Sequence, residues 1–414
     1  MAIATDTAPS PRQATAPSGL RALVASPMAD QYMVTFAVTI LCAVGAMMVL
    51  SASSAQAQFS GESPYYYATR QLIFMVIGVI GAAVICRIRP KLIQRMGWLG
   101  WGLSIFGLLL VLSPLGHTVN GNQNWIKIGG ATFQPSEFAK LGLIIWTAAI
   151  WHTKRGRLHE VPQLLVPFVP GAGILLALIL AGRDLGTGIV VGIIIVALLF
   201  FIGTSYKILL PGAIVAVGGI LLLVIGSPNR MARMRVFWDP TSDTDLSSQP
   251  MAAVYALASG GWWGLGLGAS RQKWGGLKDA AHTDFIFAVI GEELGLFGVL
   301  VVIAMFAILA RAGFAIALRS DKIFNRILSS GITAWLLVQG LINIMVVMHL
   351  LPVLGIPLPF VSSGGSALLA NLLAVGVLLA CARDTPQARA HLQARKQTLT
   401  KPRMTSILAA GRAR

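Results

Sequence analysis

Charge is scarce in this chain. Only 11 % of its 414 residues are Asp, Glu, Lys or Arg, and just 15 are acidic. An ordinary soluble chain carries roughly 25 % charged residues, so a water-facing exterior of normal size is excluded. Cysteine is scarce too. Cys42, Cys86 and Cys381 lie in or at the ends of apolar runs, with no metal-ligand spacing and no disulfide framework. Zinc spacings, a Walker loop and a G-x-S-x-G elbow are all missing, which argues against ATP-driven transport and serine hydrolase chemistry. The stretch "GGWWGLGLGAS", Gly260 to Ser270, has G-x-G spacing but no βαβ context for a dinucleotide. Its glycines predict a tight re-entrant turn, with Trp262 and Trp263 at a lipid interface.

What the chain has instead is apolar length. It is 56 % hydrophobic, with a mean hydropathy of +0.75. A membrane-spanning helix needs about 20 mostly apolar residues. Ten such runs occur, at about 33–50, 71–86, 97–115, 136–151, 163–182, 188–203, 208–226, 285–310, 327–350 and 366–382. The expected fold is an all-α integral membrane protein of about ten transmembrane helices, with a large extracytoplasmic loop, 227–284, between spans seven and eight. Residues 1–30, rich in Ala, Pro, Ser and Thr, read as a disordered cytoplasmic tail, 31–383 as the membrane domain, and 384–414 as a basic cytoplasmic tail. "MMVLSASSAQAQ" imitates a signal-peptidase site, but the long polar segment before it argues against cleavage.

The net charge of +17 is unevenly placed. With an even number of spans, both termini share a side. That side carries most of the 32 Lys and Arg, in clusters such as Arg87 to Arg95, Lys154 to Arg157 and Arg311 to Arg326. The short connections opposite hold only Arg70, Lys127, Lys140 and Arg183. The positive-inside rule puts both termini in the cytoplasm. The excess charge then reads as an orientation signal that also suits anionic lipid heads, and a nucleic-acid partner is not expected. Opposite lie three segments: 116–137 and 351–365, rich in Gly and Pro, and the long loop 227–284. Irregular backbone at membrane depth is tolerated where it lines a cavity, so the three are expected to meet around one.

Several residues there could do chemistry. Asp284, in "AAHTDFIFAVIGEELG", could cap a helix or act as a site carboxylate. Glu292 lies roughly 12 Å deeper, about 80° around the helix, and Glu293 about 180° around. A carboxylate at that depth must be paired or face a polar cavity, so Glu292 is a candidate for the site and Glu293 for structural support. Glu137 and Lys140 are three apart and can pair on one helix face, as an anchor or aimed at substrate. Arg271, Lys273 and Lys278 precede His282 and Asp284 closely. They could hold a diphosphate or simply solubilise a loop. Arg230, Arg233 and Arg235 read as an interfacial anchor, and Arg183 and Asp184 as a local structural pair.

The motifs "LSASS" (50–54), "NGNQNWIKIGGATFQPSEFAK" (120–140), "RDLGTG" (183–188), "GLGLGASRQKWGGLKDAAHTDFIFAVIGEELGLFG" (264–298) and "LPVLGIPLPFVSSGGS" (351–366) resemble the SEDS family of shape, elongation, division and sporulation proteins. The resemblance covers about residues 32–383, with the motifs in the family's order. "LSASS", the Tyr-rich "SPYYYATRQLIF" and the polar N-terminal tail are more similar to the division branch, FtsW, than to the elongation branch, RodA. Leu354 and Ser363 depart from residues frequent in that branch, Lys and Tyr.

The resemblance implies a glycosyltransferase that polymerises lipid II into peptidoglycan outside the cytoplasmic membrane, at the division septum. It implies that Asp284 is essential, with Glu137 and Lys140 near the cavity floor and Glu292 and Glu293 nearby. Asp284 would act as general base for one inverting displacement, with polyprenyl diphosphate leaving. Arg271, Lys273, Lys278 or a divalent cation (Mg or Mn) would neutralise the leaving group. The implied partners are lipid II, polyprenyl lipid, a class B penicillin-binding transpeptidase and other divisome membrane proteins. A RodA-type elongation polymerase and a lipid II flippase are the competing readings.

Overall fold

The computed structural model describes residues 26–119, 122–128, 131–277 and 280–400. Lys278, residues 1–25 of the expected N-terminal tail and residues 401–414 of the expected C-terminal tail fall outside them. In chain order the helices are α1 (Ala29–Phe59), α2 (Tyr66–Ile85), α3 (Pro90–Arg95) and α4 (Gly97–Leu112). Strands β1 (Gly116–Val119), β2 (Asn122–Ile128) and β3 (Ala131–Phe133) follow. Then come α5 (Pro135–Thr153), α6 (Val161–Leu165), α7 (Phe168–Ala181), α8 (Leu185–Phe201), α9 (Tyr206–Ile225), α10 (Pro228–Trp238) and α11 (Thr244–Ser259). The chain continues with α12 (Ile286–Arg319), α13 (Ile323–Val347), α14 (Gly365–Arg383) and α15 (Pro386–Thr400).

Every apolar run of the sequence lies on a helix. Among the described residues, seven helical segments are long and apolar enough to cross a membrane: α1, α2, α6 with α7, α9, α12, α13 and α14. Helices α4 and α8 are apolar but shorter, and α5 carries Glu137 and Lys140 in its first turns. The molecule is a helical membrane protein. Helix α13 is its axis, packed on α5, α8, α12 and α14. At the edge, α9 buries only Val224, so its apolar residues face outward.

The outer segments are more ordered than expected. Segment 116–137 contains an antiparallel three-stranded sheet in the order β1-β2-β3, with Ile126 opposite both Gly116 and Phe133. The long loop is built on α10 and α11. On the other side, α1 already begins within the expected tail, and Asp30 pairs with Arg319 at 2.6 Å. The C-terminal tail starts as α15, held by Arg389 on Asp321 and by Lys322 on Asp384.

The run at 285–310 is not one continuous helix. α12 breaks at Gly295, whose φ of 65° and ψ of −164° lie outside helical space. A break frees backbone groups that cannot stay unpaired in an apolar setting. The glycine-rich loop takes them up. Leu265 and Gly266 donate to the carbonyls of Glu292 and Glu293 at 2.9 and 3.1 Å, and Leu296 and Phe297 donate to those of Gly261 and Trp262 at 2.9 and 3.3 Å. The contact is so close that a Cβ on Gly264 would lie 2.2 Å from the Glu293 carbonyl oxygen. The glycines of "GGWWGLGLGAS" make a tight turn here, packed on the break in α12.

Candidate active site

The three outer segments meet around one cavity of about 1220 Å³. Residues of the sheet region (Asn124, Gln134), of α10 and α11, and of the 351–365 segment line it, and Thr283 and Asp284 stand on its wall.

Asp284 sits in a turn just before α12. Phe285 and Thr283 both donate backbone N–H to the Ala280 carbonyl, at 3.1 and 3.2 Å. The N-cap residue of α12 is Phe285, without a side-chain cap. Asp284 therefore does not serve as the helix cap, and its carboxyl faces the cavity. Its backbone is fixed from two sides. Asn343 Nδ2 of α13 donates to the carbonyls of Asp284 and Ile356, at 2.7 and 2.8 Å. Ser362 Oγ donates to the Thr283 carbonyl at 2.6 Å, and Ser363 N–H to that of His282 at 2.8 Å. Burial pushes the Asp284 carboxyl up to about 6, against the opposing pull of the Arg233 guanidinium.

Arg233 and Arg230 are the cations brought nearest this wall by α10. Their spacing of three puts both on one helix face, and both line the cavity. This corrects their reading as interfacial anchors. Arg233 donates to the Val353 carbonyl at 3.4 Å, and Arg230 to those of Leu223 and Arg183 at 3.0 Å each. The i, i+3 spacing in "NRMARMRVF" was the available signal. Sequence reasoning also missed Phe237, Asp245, Gln249 and His349 in the lining.

Arg271 and Lys273 of the basic segment before Asp284 go elsewhere, a correction to their expected role beside the diphosphate, while Lys278 lies outside the described residues. Lys273 is 1 % exposed and pairs with Glu293 at 2.9 Å. Ser51 Oγ of α1 lies 2.7 Å from both Glu293 oxygens, and the N–H groups of Gly268 and Ser270 donate to them at 3.0 and 3.3 Å. Glu292 accepts from Ser270 Oγ at 2.5 Å and from the Arg271 N–H at 2.9 Å. A buried carboxylate is strongly destabilising unless paired and hydrogen-bonded. The segment supplies those partners, and neither Arg271 nor Lys273 lines the cavity.

The other candidates surround the cavity at different removes. Lys140 pairs with Glu137 at 2.8 Å and donates to Gln339 Oε1 at 2.8 Å, with Trp335 beneath it at 5.0 Å. Gln339 Nε2 in turn donates to the Pro357 carbonyl at 3.2 Å, and Pro357 is a lining residue. The pair thus lies behind the wall. His282 is buried and packs on the Tyr67 ring at 4.7 Å. Arg183 and Asp184 both line the cavity, but no ion pair joins them among the described residues. Asp184 instead caps α8 through the Thr187 N–H at 3.0 Å and gathers Thr187 Oγ1, Asn124 and Gln134 at 2.8, 3.0 and 3.2 Å. Among the described residues, no group of three His, Cys, Asp or Glu is placed to hold a metal ion.

The family model for cell cycle proteins of the FtsW, RodA and SpoVE type matches residues 31–387. A probable peptidoglycan glycosyltransferase FtsW of Mycobacterium tuberculosis is 36 % identical over 392 residues, covering 93 % of this chain and 75 % of that protein. Stage V sporulation protein E of Bacillus subtilis is 35 % identical over 354 residues, covering 83 % of this chain and 94 % of its own length. Among solved structures, a chain of a peptidoglycan synthase complex superposes with a TM-score of 0.71 at 27 % identity, over 85 % of this chain and 97 % of that one. The rod shape determining protein RodA of Thermus thermophilus superposes with a TM-score of 0.63 at 27 % identity, over 85 % and 96 %. With its motifs in order, its helical bundle and a match over most of its length, the chain belongs to the FtsW/RodA/SpoVE family of cell cycle proteins.

Proposed function

We propose that the protein is a peptidoglycan glycosyltransferase that polymerises lipid II on the outer face of the bacterial cytoplasmic membrane, with both termini in the cytoplasm. The observation that carries this reading is the Asp284 carboxyl, raised by burial and set on the wall of a cavity that also holds Arg233 and Arg230. A sugar hydroxyl is a poor nucleophile, and a positioned carboxylate assists by removing its proton as the bond forms. Asp284 takes the proton from the 4-hydroxyl of the acceptor GlcNAc. That oxygen attacks the anomeric carbon of the donor MurNAc, the bond to the diphosphate oxygen breaks, and polyprenyl diphosphate leaves. The α linkage becomes a β-1,4 bond. One inverting displacement needs no second carboxylate as nucleophile. The charge gathering on the leaving diphosphate falls to Arg233 and Arg230 in place of Lys273, because fixed cations aimed at developing charge lower the barrier.

A divalent cation at this wall would be held by Asp284 together with substrate oxygens, the mode in which Mg²⁺ binds through one or two carboxylates and phosphates. Its role would be to neutralise diphosphate charge. The two arginines serve that need without it. The likeness to a chain from a complex that coordinates polymerization and crosslinking supports a class B penicillin-binding transpeptidase as partner, with lipid II and polyprenyl lipid as ligands. Division-type relatives favour action at the septum with other divisome membrane proteins.

The test is polymerisation of lipid II by the purified protein with its transpeptidase partner. Asp284→Asn is expected to insert and fold normally and to yield no glycan strands. Near-normal strand synthesis by that variant overturns the assignment.

A further inference from the structure

Four described helices end in the same backbone motif. In it the residue one past the C-cap adopts left-handed backbone, its N–H and that of the next residue bond back to carbonyls of the last helical turn, and glycine is preferred because it carries no Cβ. At the end of α1 that residue is Gly61, at φ +68°, with hydrogen bonds Gly61 to Gln58 and Glu62 to Ala57 of 3.3 and 2.9 Å. At the end of α8 it is Gly203, at φ +88°, with bonds Gly203 to Phe200 and Thr204 to Leu199 of 3.0 and 3.1 Å.

The same motif closes α7 and α13 without glycine. After α7 the residue is Arg183, at φ +63°, with bonds Arg183 to Leu180 and Asp184 to Ile179 of 2.9 and 3.4 Å. After α13 it is His349, at φ +56°, with bonds His349 to Val346 and Leu350 to Met345 of 3.0 and 2.8 Å. The backbone needs are identical, so the side chains require a separate reason. Arg183 and His349 both line the cavity that holds Asp284, and Gly61 and Gly203 do not. The remaining non-glycine residue at positive φ among those described, Phe360, has a packing reason: it is 1 % exposed, wedged beside Gly45 of α1.

The surroundings of the two residues say what each could bind. The Arg183 carbonyl accepts from Arg230 Nη2 at 3.0 Å, which holds two guanidinium-bearing residues side by side. The nearby carboxylate, Asp184, already accepts from Thr187, Asn124 and Gln134. Among the described residues neither arginine has an ion pair. Burial and the proximity of Arg183 lower the Arg230 guanidinium from its usual range, against the opposing pull of Asp184. Two like charges kept together beside a cavity suit a divalent anion, and Arg matches phosphate oxygens in a planar fork. His349 instead lies against the Phe237 ring, 5.2 Å between centroids and tilted by 37°. An aromatic face next to a polar ring edge suits a sugar, whose C–H face is apolar and whose rim carries hydroxyl and acetamido groups.

We propose that Arg183 and His349 are substrate-binding residues of the cavity: Arg183, beside Arg230, holds a phosphate of the polyprenyl-linked diphosphate, and His349, on Phe237, holds the saccharide attached to it. The proposal rests on the lipid II reading above and adds two contacts to it.

Glycine supplies the test because it suits the backbone at both positions. Binding of undecaprenyl diphosphate and of lipid II to the purified protein is measured for wild type, Arg183→Gly and His349→Gly, together with thermal melting. Both variants are expected to melt at or above the wild-type temperature. Arg183→Gly is expected to lose about tenfold or more in affinity for both lipids, the scale of one charge-assisted hydrogen bond. His349→Gly is expected to keep its affinity for undecaprenyl diphosphate and lose about tenfold for lipid II. Arg183→Lys should recover part of the lost affinity, since a cation returns. Glycine variants that bind both lipids like wild type, or a lysine variant no better than glycine, overturn the proposal. Wild-type protein that binds neither lipid overturns the polymerase reading itself, and this inference with it.

Discussion

At the scale of single residues, the site turns on the ionisation of Asp284. A general base must be unprotonated, and burial raises this carboxyl to about 6. Lipid II polymerisation is therefore expected to rise with pH through about 6 and level above it, because the protonated form cannot accept the acceptor hydroxyl's proton. Arg233 favours the ionised form. Arg233→Gln should shift that acid limb to higher pH and slow the reaction. Initial rates across the limb check both, and a flat profile removes Asp284 as the base. Lys273 shows how a residue next to a site can serve something else. Lys273→Met strands Glu293 in the interior, a loss of about 3–5 kcal/mol for a broken buried pair. The double variant Lys273→Met, Glu293→Gln, which removes the stranded charge but keeps an acceptor for the Ser51, Gly268 and Ser270 donors, should recover much of that. Melting temperatures of the single and double variants in detergent test this, and equal losses in both refute the pairing.

At the scale of elements, the broken helix α12 and its glycine clamp place the turn that carries Asp284. Gly295 needs left-handed backbone, and a Cβ there would lie 2.4 Å from the Gly264 nitrogen. Gly264 meets the same surface from the other side. Gly266 has an equally unusual φ of +100° but open space around it. Gly264→Ala and Gly295→Ala should both destabilise severely, since strain and overlap add, whereas Gly266→Ala should cost about 1–3 kcal/mol from strain alone. Folded yield and thermal melting rank the three, and a Gly266 variant as damaged as the others contradicts the clamp geometry. Apolar length read the helices correctly because each span depends on its own residues. It could not show the break, because glycine is common throughout this chain, with 44 residues. The sheet β1-β2-β3 was hidden as well: "NQNWIKI" pairs with short neighbours that are unremarkable alone.

At the scale of the whole molecule, the charge asymmetry is expected to orient the bundle. The cavity and its arginines lie with the long loop 227–284, and the dense basic clusters lie opposite. In a cysteine-free background, Ser242→Cys on the outer loop should react with an impermeant maleimide in intact cells. Gly156→Cys, in the basic connection between α5 and α6, should react only after permeabilisation. The reverse pattern inverts the topology and removes the site from its substrate.

The sequence by itself determined the membrane class, the helical segments, the charge asymmetry and the family, because these depend on local composition and on contiguous motifs. It also singled out Asp284. Only the tertiary structure decided which cations share the cavity of that carboxyl. Arg233 stands 51 positions before Asp284 and lines its cavity, while Lys273, only 11 before it, is turned away to Glu293. Ser51 and Glu293 meet across 242 positions. A buried charge takes its partner from whatever the packed helices bring within hydrogen-bond reach, and that choice is made in space rather than along the chain.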